Sequence, residues 1–292
     1  MNSRTRGFTL VEVLVVVLLS SLVMGSVYKM IVMQQNSTRE QYAIIDTQQN
    51  ARTGLAILTN ELKELSAVDG DITAASASAI EFRALTKAGV VCAKDPLNNY
   101  IDVAELGAGF AIGDSVLVFA EGVVTDVSDD TWLRVQVYNI FPGAVTLCGG
   151  VNPLGAVGWN RLWINGVVLG PVRPGALIRA FTPTRYRIRD NGEWGQMMRR
   201  VAVPNGLGWT TTETAILDQL ASVSENGLVF RYYDAAGAQI AYGSLASNLD
   251  DIMRVQVKVA GKAVSTAKST GENRFRDSLV STVYLRGNFR TQ

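Results

Sequence analysis

The chain has 292 residues, 48% hydrophobic and 18% charged, with 27 basic against 26 acidic side chains and no histidine. So even a balance argues against a surface built for nucleic acid or acidic lipid, and the missing imidazole removes the commonest acid–base group and metal ligand. With no recognisable nucleophile and base at motif spacing, composition points away from an enzyme and calls for no cofactor.

The first element is apolar. Arg4 and Arg6 precede an uninterrupted run from Phe8 to Tyr28 in which Glu12 is the one charge. Positive charge before such a run holds that end on the cytoplasmic side. As a helix, residues 8–28 would reach about 31 Å, enough to cross a bilayer core. An ordinary secretory signal places its small-residue cleavage site after the apolar run. Here the processing-like residue, Gly7, lies before it, so cleavage there would leave the helix on the mature chain. Removing residues 1–7 would leave 25 basic against 26 acidic side chains. A carboxylate within a span costs about 2.5–3.5 kcal/mol, so Glu12 either snorkels to the interface or has a partner.

Gly7-Phe8-Thr9-Leu10-Val11-Glu12 resembles the class III signal of type IV prepilins and pseudopilins. The resemblance implies that prepilin peptidase cuts between Gly7 and Phe8 and that the new Phe8 amine is N-methylated. It also implies that Glu12 pairs with the N-terminal amine of a neighbouring subunit, joining two charges too costly to leave alone in lipid. The expected location is the bacterial inner membrane, single-pass, with the head on the extracytoplasmic side, and then a pilus or pseudopilus. Unlike many major pilins, the chain has no proline before Pro96.

Beyond Met33 the helix turns polar, and Leu55, Leu58, Leu62 and Leu65 recur at helical spacing. The expected organisation is a leader over 1–7, a transmembrane helix over 8–33, its amphipathic continuation over 34–65 and a β-rich head over 66–292. The fold class is α+β: one long N-terminal helix packed on a mainly antiparallel sheet, in a head large enough for one core or two sub-sheets. Short β-prone runs between Gly, Asn, Asp and Pro predict strands at 80–85, 115–120, 133–140, 177–181, 228–233, 252–259 and 279–285. Asn191-Gly192 predicts a hairpin over 186–194. Residues 212–220 read as a short helix.

Parts of the head resemble minor pilins of the PilW type and pseudopilins of the GspJ type: Asn50-Ala51-Arg52 near the helix end, residues 217–233, Leu249-Asp250-Asp251-Ile252, and residues 281–286. The resemblance implies other minor and major pilins or pseudopilins as partners. Three readings follow: a minor pilin that helps initiate or cap a type IV pilus; a GspJ-like minor pseudopilin of a type II secretion system; and a tip adhesin or DNA-uptake module whose ligand sits in residues 90–180.

Other candidates are weaker. Cys92 and Cys148, in an exported chain, could be a disulfide or two separate thiols. Asp126, Asp129 and Asp130 offer oxygens to Ca²⁺ but lack EF-hand spacing, so a solvated turn is the simpler reading. Gly107 to Gly113 reads as a flexible loop. Arg185, Arg187, Arg189, Arg199 and Arg200, near Tyr186 and Trp194, read as a polar strand face ahead of a grip on nucleic acid.

Overall fold

The computed structural model describes residues 9–123, 130–143, 158–165, 169–202, 209–210, 212–264 and 274–286. One helix, α1 (Leu10–Leu62), runs for 53 residues, about 80 Å. From Leu10 to Met30 every residue is exposed, and its buried positions are Thr47, Ala51, Gly54, Leu58 and Leu62. That stripe differs from the predicted leucine series. Leu55 is only partly buried, while small Ala51 and Gly54 join the seam because the helix lies very close to the sheet. A Cβ on Gly54 would sit 2.4 Å from Leu217, and one on Gly261 would sit 2.3 Å from Thr47.

The strands are β1 (Ile72–Ala75), β2 (Ala79–Asp95), β3 (Tyr100–Glu105), β4 (Ser115–Ala120), β5 (Thr131–Pro142), β6 (Gly158–Ile164), β7 (Leu177–Asn191), β8 (Trp194–Val201), β9 (Thr214–Leu220), β10 (Leu228–Tyr233), β11 (Arg254–Val264) and β12 (Arg274–Tyr284). Every pairing between them is antiparallel. The predicted strands all fall on observed ones; β1, β3 and β6 went unforeseen.

Two long strands organise the head. β2 and β7 pair along their length, from Ala79 opposite Arg187 to Val90 opposite Leu177. At one end, β2 continues to β3, β3 to β6, β6 to β5, β5 to β4, and β4 returns to β7. These pairings close a six-stranded barrel around Val91, Ile101, Val103, Val116, Val118, Val135, Leu162, Ile164 and Ile178. At the other end, β7 exchanges β4 for β8, and the sheet runs on through β9 and β11 to β12. The exchange falls at Thr182 and Pro183, where proline has no N–H to offer a ladder. A second core, with Leu58, Leu62, Phe82, Tyr186, Phe230 and Val257, lies between this open sheet and α1.

The region read as a helix over 212–220 is instead strand β9, with Met197 opposite Leu217 and Gly195 opposite Leu220. Leu217 and Leu220 are both buried although three apart. Gln219 has φ 58°, and the irregular register beside it reverses the side-chain phase. A bulged strand thus imitates helical spacing. In the predicted hairpin, Asn191 pairs with Trp194, so Gly192 and Glu193 are the central residues and Gly192 carries φ 66°. Glycine thus occupies the first central position of the turn, one residue later than the Asn-Gly reading placed it.

Candidate functional site: the start of the apolar helix

The described chain enters α1 at Thr9, whose extended backbone (φ −82°, ψ 149°) makes it the N-cap. Its hydroxyl oxygen accepts the Glu12 N–H at 3.4 Å. Thr9-Leu10-Val11-Glu12 therefore has the spacing of a capping box, a signal overlooked in the sequence, and Glu12 stands in the first turn where the helix dipole favours an anion. No cation lies within its own turn; the next basic residue along the helix is Lys29, roughly 25 Å away along the axis. In the apolar segment, the hydroxyls of Ser20, Ser21 and Ser26 donate to the carbonyls of Val17, Leu18 and Val23 at 3.0, 2.8 and 2.8 Å. Their polarity is thus met within the helix, as a lipid surrounding requires. An 18-residue window of α1 has a mean hydropathy of 2.4 with no residue buried, long and apolar enough to cross a membrane.

The prokaryotic N-terminal methylation motif matches residues 2–28. The chain carries a type IV pilin-like signal. Its single apolar helix fits a single-pass anchor, and the motif is consistent with processing by prepilin peptidase and assembly with other pilins. No curated protein and no solved structure matches the chain.

Gly7 and Phe8, between which the sequence resemblance leads one to expect cleavage, lie outside the described residues, as do Cys148, Asp126 and Asp129. Cys92 sits in the barrel portion of β2, 7% exposed, and is not a free thiol. Asp130 immediately precedes β5, and among the described residues no three His, Cys, Asp or Glu side chains converge as a metal group. The Gly107–Gly113 stretch is a loop, pinned where the Phe110 N–H donates to Glu105 at 2.8 Å and the Ala111 N–H to Asp114 at 2.7 Å.

Of the arginine group, Arg189 is exposed at the end of β7 and the other four have local partners. Arg185 is bound to Glu81, Arg187 forks onto Glu213, and Arg200 donates to the Thr210 carbonyl at 2.8 Å. The hydrogen bond to Arg187 holds the Glu213 carboxyl below its ordinary range. Arg199 lies on the helix side, 3.9 Å from Glu61, which accepts the Tyr186 hydroxyl at 2.8 Å. Burial first, then the Glu61 charge, pushes the Tyr186 pKa upward. Tyr186, Glu61 and Arg199 tie α1 to the sheet.

Proposed function

We propose that this chain is a minor pilin, a structural subunit that helps initiate or cap assembly of a type IV pilus. The observation that carries the reading is Glu12: a lone carboxylate in the first turn of an apolar helical segment that is exposed throughout from Leu10 to Met30, within a methylation motif. In the proposed sequence of events, cleavage between Gly7 and Phe8 creates an amine that is then methylated. That amine on one subunit meets Glu12 on the next, and the pair replaces two isolated charges in lipid. The exposed apolar surface of α1 packs among the helices of neighbouring subunits, and the head contacts neighbouring heads outside the membrane.

Glu12→Ala tests this directly. The mature mass should still correspond to a chain beginning at Phe8, while the amount recovered in sheared pili falls about tenfold or more. Wild-type incorporation of Glu12→Ala would sink the pairing. Deleting the gene and scoring both surface pili and protein secretion separates the machines. Loss of pili supports the minor pilin; intact pili with lost secretion would replace it by a pseudopilin of the GspJ type.

A further inference from the structure

The open sheet ends at β10 on one side of β11 and at β12 on the other. The β10 edge is covered: the Phe230 N–H donates to the Ala77 carbonyl at 2.8 Å, and the Tyr232 carbonyl accepts the Ile240 N–H at 2.9 Å. By contrast, β12 pairs with β11 along its whole length and, among the described residues, with no other strand.

The register decides which backbone groups β12 leaves over. The Leu285 N–H donates to the Met253 carbonyl at 3.1 Å, so the odd-numbered residues of β12 turn their backbone groups toward β11. Ser278, Val280, Thr282 and Tyr284 therefore present N–H and C=O to the open edge. All four side chains are exposed, Val280 by 54% and Tyr284 by 69%. Sheets ordinarily guard such an edge with charge, proline or a bulge. From Ser278 to Leu285 there is no charged residue and no proline, and the register with β11 runs without a shift.

From this unguarded row we propose that β12 takes up an extended strand of a different protein, an uncharged segment rich in β-branched or aromatic residues. Only a peptide backbone repeats a donor and an acceptor at the spacing of the edge, so sugar and nucleic acid are poor occupants. Branched side chains or rings opposite Val280 and Tyr284 add cross-strand contacts. A second copy is excluded by the direction of α1. The helix runs beside β12 in the same sense, with Gln48 donating to Asp277 at 3.1 Å near one end and Arg286 to Glu64 at 3.4 Å near the other. Pairing β12 antiparallel with itself about a two-fold axis would point the two α1 helices opposite ways. Their apolar segments would then stand on opposite sides of the heads, where one membrane cannot hold both. A parallel pair fails differently: its bonds are staggered, so its two strands are not equivalent and no two-fold relates them. The proposal rests on the membrane anchor and not on the choice between pilus and secretion machine.

The experiment uses the full chain in the membrane of the cells that make it. A benzophenone side chain is installed in turn at Ser278, Val280, Thr282 and Tyr284, and light-induced adducts are mapped by mass spectrometry. The expected result is adducts with one partner protein, their attachment points moving by about two residues for each step of two along β12. Thr282→Pro removes an edge N–H and leaves the bonds of Ser281 and Val283 to β11 in place, so adducts from positions 280 and 284 should fall about tenfold or more. Thr282→Lys, which charges the edge and keeps the N–H, should lower them too, and Thr282→Ala should keep them. The lysine variant carries the comparison if the proline variant does not fold. Absence of adducts at all four positions would overturn the proposal, as would attachment points without a common register. So would adducts with a second copy or with residues 287–292 of the same chain, or yields that neither Thr282→Pro nor Thr282→Lys lowers.

Discussion

Lys262 is 2% exposed, and its Nζ donates to both oxygens of Glu225, at 2.9 and 3.2 Å, and to the Glu193 carbonyl at 2.9 Å. A buried ammonium is tolerable only with such partners. The hydrogen bond from Lys262 brings the Glu225 pKa down to about 2 from its ordinary 4.5. A depressed carboxyl pKa stabilises the fold fully above the unfolded value and loses that contribution as pH falls through the folded one. Melting temperature should therefore drop between pH 4.5 and 2, and Glu225→Gln should flatten that part of the profile. At neutral pH the same substitution should cost about 1–3 kcal/mol in denaturant unfolding, because the ammonium stays buried with less to bind. At the other end of the chain, Glu12 joins two roles in one residue. Within the subunit it occupies the capping-box position opposite Thr9, and in the proposed fibre it meets a neighbour's amine. The signal for the second role was legible as a motif; the Thr9-x-x-Glu12 spacing of the cap was legible too, and the extended backbone at Thr9 bears it out.

Among the elements, the α1 seam turns on two glycines. Thr47 lies against Gly261 of β11, and Gly54 lies beneath Leu217 of β9. The flexible Leu217 side chain can move aside, but at Gly261 the added atom would also stand 2.9 Å from the Thr47 backbone oxygen. Gly261→Ala should therefore destabilise by about 1–3 kcal/mol through overpacking, and more than Gly54→Ala, as measured by denaturant midpoints. Neither contact could be read from the leucine spacing, since small residues enter a seam according to what faces them. The misreading of β9 has the same origin. Leu217 and Leu220 are three apart in sequence, and only their partners Met197 and Gly195 show that a bulge set that spacing. By contrast, β4 is a dense apolar run and β10 alternates cleanly, and both were predicted with their observed ends.

For the whole molecule, β2 and β7 link two cores, one closed within the barrel and one covered by α1. Cys92 lies on the barrel side of β2, and we propose Cys148, the chain's other cysteine, as its partner. A loop of that length contributes roughly 4 kcal/mol in the chain-entropy picture. Intact protein should thus take up no thiol reagent before reduction. Cys92→Ser should lower the melting temperature while leaving the N-terminus of the membrane-extracted protein the same as in the wild type. Uptake of two labels by unreduced, folded protein would refute the bond.

By itself, the sequence determined the apolar helix, the pilin-like signal around Glu12, the α+β class and the strands whose side chains alternate. Those features rest on local patterns: one residue type at fixed distance from another along a single segment. The tertiary structure alone decided that the strands divide between a barrel and an open sheet. That division depends on β7 changing partner at Pro183 and on β2 exchanging β1 for β3 along one edge while its other edge stays on β7. Pairing between strands is long-range, and identical alternation suits either neighbour.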